Sequence, residues 1–112
     1  MPQLDRLTDR IRSFCDERDW DQFHSGRNLA ISLALESAEV LELFQWSELD
    51  TEAPQSKERL SHELADVFYW TLLLSDRFGI DLEQALLEKL KLNEKKYPID
   101  LARGSSKKYS DL

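Results

Sequence analysis

The chain has 112 residues, of which 41% are hydrophobic and 33% charged, and it carries a formal charge of −7. That length supports one compact domain with a modest core, and the mixture fits a soluble globular protein. The acidic balance disfavours nucleic acid, whose phosphates would be repelled, and no apolar run reaches the length that crosses a bilayer. The N-terminal MPQLDRLTDR lacks the apolar stretch of a signal peptide. Cys15 stands alone, which rules out an internal disulfide and points to a reducing, cytoplasmic setting. Three glycines, three prolines and no alternating strand pattern predict an all-α chain.

The first helix is expected from about Gln3 to Arg18. Leu4, Leu7, Ile11 and Phe14 repeat at helical spacing, while Arg6, Asp9, Arg10 and Glu17 fall on what reads as a solvated face. A loop over Asp19 to Gly26 holds Trp20, Phe23 and His24, rings that need something to pack against. The second helix is expected from Arg27 to Ser47; it is apolar nearly all round and so belongs at the centre. Pro54 marks a loop over Asp50 to Gln55, and Ser56 is a candidate cap for a third helix over Lys57 to Phe78. Gly79 is the stop. Asp81 and Gln84 suggest a capping box for a fourth helix over Leu82 to Lys96, which Pro98 prevents from continuing. The remaining 99–112 segment is polar and basic, with Arg103, Lys107 and Lys108. Four helices joined by short connections predict a four-helix bundle, with residues 1–98 as the helical domain. The apolar second helix predicts that the bundle oligomerises through its central helices.

Two pairs of acids interrupt the apolar stripes. On the second helix, with Glu36 at zero, Glu39 lies about 60° away, Ser32 and Val40 about 40° and Leu43 about 20°. On the third, with Glu63 at zero, Asp66 lies about 60° away and Trp70 about 20°. Glu42 and Glu48 fall about 120° from Glu36, where charge is ordinary. Acids on a buried face are costly unless something neutralises them. One answer is pairing with Arg27, Lys57 or Arg59. The other is a divalent, oxygen-seeking cation: Mg²⁺, which divides its ligands between carboxylates and substrate phosphates, or Mn²⁺. A di-iron bundle would need Glu-x-x-His on two helices, which this chain lacks. His62-Glu63 begins like a zinc protease motif, but Asp66 stands where the second His belongs.

The stretch from Arg18 to Tyr109 resembles the all-alpha nucleoside triphosphate pyrophosphohydrolases of the MazG-like group, and within it the dCTP pyrophosphatase branch. The resemblance rests on ERDWDQFHSGRNLAISLALESAEVLELFQW, HELADV, NEKKYP and LARGSSKKY. It implies a nucleoside triphosphate substrate cleaved to monophosphate and pyrophosphate, and a Mg²⁺ held by Glu36, Glu39, Glu63 and Asp66. By the same resemblance Lys89 and Asn93, with Lys96 and Tyr97 one turn on, are candidates for phosphate or sugar contact. Arg103, Lys107 and Lys108 are candidates to close over the phosphates, the alternative being a solvated tail. Trp20 and Trp46 match base-pocket positions, with His24 nearby. Trp70 stands where that branch often carries Tyr, which alters the pocket wall. The resemblance also implies a homodimer or a dimer of dimers. A dUTP-type hydrolase of the same superfamily, a non-catalytic nucleotide-binding module and a structural oligomerisation bundle are the alternatives.

Overall fold

The computed structural model describes residues 2–46 and 57–112. Every regular element among them is helical, as the sequence predicts, and none of these helices is long and apolar enough to cross a membrane. The chain forms two compact units, Met1–Gly79 and Ile80–Leu112.

In the first unit, α1 spans Pro2–Asp16. Proline suits a first helical position, where its fixed φ is already helical and no amide partner is lost. The chain leaves α1 through Asp19, at a left-handed φ of 55°, and makes a 3₁₀ turn over Asp21–Phe23. Ser25 then caps α2 (Gly26–Glu42), its side chain accepting from the Asn28 amide at 3.1 Å. The Asn28 side chain donates back to the Phe23 carbonyl at 2.9 Å, tying the aromatic loop to the helix it precedes. Regular α2 ends five residues before the expected Ser47. Leu43, Phe44 and Gln45 donate to carbonyls three residues back, so the helix tightens into turns. The α3 helix runs Lys57–Arg77 and stops at Gly79, whose φ of 66° needs no Cβ to be accommodated. The expected cap Ser56 and the 50–55 loop lie outside the described residues.

Helix α3 packs on both α1 and α2. Leu29 of α2 meets Leu73 of α3, while Glu36 further along α2 lies with Glu63 earlier in α3, so these two helices run antiparallel. Cys15, Leu29 and Leu73 form the fully buried cluster, with Ile11, Tyr69, Trp70 and Leu74 packed around it. This core is small. Leu35, Leu64 and Phe68 remain exposed on α2 and α3 within the single chain, so the central burial expected for the second helix is only partly realised here.

A second fastening joins α1 to α3. The Arg12 guanidinium donates to both carboxylate oxygens of Asp76, one contact being 2.8 Å, and also reaches Asp9 at 2.8 Å. A bidentate fork of this kind fixes orientation as well as distance.

In the second unit, α4 covers Leu82–Lys96, with the bounds that the sequence predicts. Asp81 caps it by accepting from the Gln84 amide at 3.1 Å. The Gln84 side chain reaches forward to Glu88 rather than back, so the box is half made. Pro98 follows and opens α5 (Ile99–Ala102). The basic tail is not a featureless extension. It ends in a 3₁₀ turn over Tyr109–Asp111, with Tyr109 set edge-on to Tyr97 at 6.1 Å and the Lys96 ammonium 4.8 Å from its ring.

Arg12 holds the Asp76 carboxyl below its usual range, through the hydrogen bonds first and the charge second, despite partial burial. A lowered acid stabilises the fold above its unfolded value of 3.8 and loses that contribution as pH falls through its folded value. Asp76→Asn is expected to cost about 1 kcal/mol at pH 7. Urea denaturation should find the gap between variant and parent closing below pH 3.8.

Candidate active site

Three carboxylates meet where α2 crosses α3. Glu36 and Glu39 come from one helical turn of α2 and Glu63 from α3, and each offers an oxygen within 4.8 Å of the others. The i, i+3 spacing on α2 turns both of its acids towards α3. Glu36 and Glu63 are half-buried, while Glu39 is exposed. One oxygen of Glu36 and one of Glu63, Oε2 in each, is buried with no hydrogen-bond partner. Asp66 stands outside the triplet but acts on it, since its charge raises both Glu36 and Glu63.

The electrostatics are those of crowded anions. Burial does most to push the Glu36 carboxyl up, followed by its hydrogen bond with Glu39 and the charges of Asp66 and Glu39; the Trp70 indole works the other way. Glu63 is raised first by its hydrogen bond with Glu39, then by burial and by the charges of Glu39 and Asp66. Arg59 offsets part of this at Glu63, in the manner of a basic partner. It leaves the buried Oε2 of Glu63 unsatisfied. An all-oxygen donor set, crowded and with two buried acceptors unused, fits a hard divalent cation.

Beside the acids lies a cavity of about 530 Å³, lined by Leu7, Arg10, Ile11, Phe14, Trp20, Glu36, Asp66, Tyr69 and Trp70. Glu36 therefore belongs to both the acid cluster and the cavity wall. The rings interlock edge to face: Tyr69 with Trp70 at 4.9 Å, Phe14 with Trp20 at 5.6 Å, and Phe14 with Tyr69 at 6.3 Å. The Arg18 guanidinium covers the Phe14 ring at 3.8 Å. Tyr69 is anchored from behind, its hydroxyl 3.2 Å from the buried Cys15 sulfur, and burial and that contact push its hydroxyl well up.

The predicted residues divide accordingly. Glu36, Glu39 and Glu63 come together; Asp66, Trp20 and Trp70 join them at the cavity. His24 meets Trp70 edge-on at 5.9 Å but opens on a separate hollow of about 230 Å³ beside Arg12 and Asp76. Trp46 is 93% exposed and outside the cavity lining. Lys89, Asn93, Lys96, Tyr97 and Arg103 belong to the second unit, where the Asn93 carbonyl accepts from the Tyr97 amide at 2.8 Å. The sequence reading missed the whole contribution of α1 together with Tyr69. It gives Leu7, Ile11 and Phe14 no role beyond helical spacing and Arg10 a solvated face, yet all four line the cavity. The available signal was that Leu7, Arg10, Ile11 and Phe14 themselves follow i, i+3, i+4, i+7 spacing.

Comparison with known proteins agrees with this geometry. Residues 31–112 match the model of the MazG-like family. The chain belongs to that family. The chain is 42% identical to mouse dCTP pyrophosphatase 1 over 116 aligned positions, covering 99% of this chain and 68% of the mouse protein. It is 41% identical to the human protein of the same name, covering 99% and 68%. Among solved structures, a pyrophosphatase from Archaeoglobus fulgidus superposes with a TM-score of 0.81 at 37% identity, covering 86% of this chain and 93% of that one. The matched region of the MazG-like family holds Glu36, Glu39, Glu63 and Asp66 but not α1. In this MazG-like chain the cavity wall supplied by α1 therefore lies upstream of the family match.

Carboxyls raised in the folded protein stabilise it below their ordinary value of 4.5, and that contribution is lost as pH rises through their folded values. Glu63→Gln, which removes one charge from the cluster at constant shape, is expected to raise the melting temperature of metal-free protein at pH 7. It should also flatten the decline in melting temperature from pH 4.5 upwards. Added Mg²⁺ or Mn²⁺ should raise the melting temperature of the parent and leave the variant unmoved, as followed by circular dichroism.

Proposed function

We propose that the chain hydrolyses a deoxynucleoside triphosphate, dCTP before the others, to the monophosphate and pyrophosphate. The observation that carries this reading is the continuity of the acid cluster with the aromatic cavity through Glu36. One half suits a metal-bound triphosphate and the other a flat base. The relatives named dCTP pyrophosphatase and the neighbour named pyrophosphatase support it.

Glu36, Glu39, Glu63 and Asp66 would hold Mg²⁺, with Mn²⁺ as a substitute. That ion supplies charge neutralisation at the phosphates and at the pyrophosphate leaving group. One glutamate of the cluster accepts the proton of the water that attacks the α-phosphorus, a role suited to a carboxyl raised by its neighbours. The P–O bond to the leaving pyrophosphate breaks as the new one forms, without a covalent intermediate. Cys15 does not serve as nucleophile in this scheme, because it is 3% exposed and committed to Tyr69. Trp20 and Trp70 take the base by stacking, worth roughly 1–3 kcal/mol per base in nucleic-acid complexes. Lys89, Asn93, Lys96, Tyr97 and Arg103 are proposed as phosphate and sugar contacts, and Trp46 and His24 as further contributors. Exposed Leu35, Leu64 and Phe68 support a four-helix bundle that forms a homodimer or homotetramer through its central helices α2 and α3. A lone reduced cysteine supports a cytoplasmic setting.

Purified protein with Mg²⁺ and each dNTP in turn, with products separated by ion-exchange chromatography, tests the reaction. Monophosphate and pyrophosphate are expected, fastest from dCTP, and none in EDTA. A diphosphate product, or binding without turnover, would refute it; dUTP as the preferred substrate would move the chain to the dUTP-type alternative. Glu63→Gln should lower kcat at least about a hundredfold, the scale on which single electrostatic contributions to transition states act.

A further inference from the structure

We propose that Arg10 reads the base, selecting cytosine through its two adjacent acceptors; the inference rests on the nucleotide reading of the cavity. Arg10 stands on the α1 wall with Leu7, Ile11 and Phe14, while Glu36 and Asp66 lie at the metal-facing part of the same cavity. With Leu7 at zero on a helical wheel, Phe14 lies about 20° and Arg10 about 60° to the same side, so the guanidinium flanks the ring that forms the wall. Arginine in an apolar stripe parallels the acids in the stripes of α2 and α3, and calls for the same explanation.

Several donors around the cavity are already engaged, and the indoles of its wall offer one N–H each. The Tyr69 hydroxyl meets Cys15, and Arg18 beside the wall is bound to the Phe14 carbonyl at 2.9 Å and paired with Glu17. Among the described residues that line the cavity, Arg10 is the one with a fork of donors that no hydrogen bond or ion pair among the described residues uses. Arginine offers only donors, in a rigid fork. It therefore rewards two neighbouring acceptors on one edge. Cytosine presents N3 and O2 side by side, whereas uracil and thymine carry a hydrogen on N3 and leave O2 isolated from O4. A triphosphate held at the acid cluster directs its base into the cavity, where stacking on Trp20 and Trp70 tolerates any pyrimidine. Stacking alone cannot choose among them, and a fork on the wall can.

The test is a cycle between enzyme and substrate. Parent, Arg10→Met and Arg10→Lys are compared on dCTP, dTTP and 3-deaza-dCTP, in which a C–H replaces N3. Binding is read by tryptophan fluorescence and turnover by monophosphate release, with Mg²⁺ present. The parent should prefer dCTP over 3-deaza-dCTP and over dTTP by about tenfold, within the range of one bidentate base contact. Arg10→Met should bring dCTP down to the 3-deaza level, mostly in KM, and respond less than about twofold to the loss of N3; Arg10→Lys, with one point contact, should fall between. Equal sensitivity to N3 in parent and Arg10→Met would overturn the inference while the hydrolase reading stands. The expected binding preference without any turnover would overturn the hydrolase reading and leave Arg10 as base reader. Absence of nucleotide binding would overturn both.

Discussion

Three carboxylates held within 4.8 Å of one another are a source of repulsion, and the packing of α2 against α3 has to sustain it. The chain does so by making the surrounding contacts local and rigid. Each acid stands on a helix rather than a loop, so its Cα position is fixed by the turn that carries it. Glu39 acts on both of the others: burial first and then Glu39 raise Glu36, while Glu39 first and then burial raise Glu63. Two buried oxygens remain unsatisfied. A fold that tolerates such a cluster trades stability for a preformed donor set, and a cation that binds there recovers it.

The rest of the first unit follows from keeping that crossing fixed. The antiparallel register places Leu29 on Leu73 at one end and Glu36 beside Glu63 at the other. The buried cluster is too small to set the angle of α1 by itself, and the Arg12–Asp76 fork supplies a directional contact instead. Once α1 is set, Phe14 reaches Trp20 and Tyr69, and Cys15 reaches the Tyr69 hydroxyl. The aromatic cavity is thus a by-product of how α1 is fastened to α3, and the acid cluster opens on it because Glu36 lies on the shared edge. Wall and acid cluster are parts of one packing arrangement rather than two sites.

The helices and the acid cluster were legible in the sequence because both obey short-range rules. Asp81 and Pro98 bracket α4 by local chemistry, and Ser25, unremarked in the sequence, caps α2 by the same kind of bond. The i, i+3 acids announce themselves as charge at the wrong angle. What was not legible depends on contacts distant in sequence. Arg10 reads as surface until Tyr69 and Trp70, some sixty residues away, are brought opposite it. Tyr69 reads as one apolar position among many until Cys15 is behind it. The end of α2 also escaped prediction, because an apolar run gives no sign of where regular hydrogen bonding gives way to turns. The tail shows the same dependence: its composition is polar, yet Tyr109 has Tyr97 and Lys96 to rest on.

A division of labour follows from where each part is encoded. The acids lie within the stretch that matches the MazG-like family model, and so does Trp70 of the cavity wall. Leu7, Arg10, Ile11, Phe14 and Trp20 all lie before it. Metal and phosphate demand the same oxygen ligation whatever base is attached, so the chemistry constrains the helices that carry the acids tightly. A base demands a shape and a donor pattern that differ between substrates, and a separate helix can change both without moving an acid of the cluster. Helix α1 is suited to that role because its hold on the scaffold, through Arg12 and Cys15, is separate from the residues it turns to the cavity. Changes at Leu7 or Arg10 alter the wall and leave the fastening in place. Selectivity in this fold is therefore expected to vary with α1 while the cleavage reaction stays with α2 and α3.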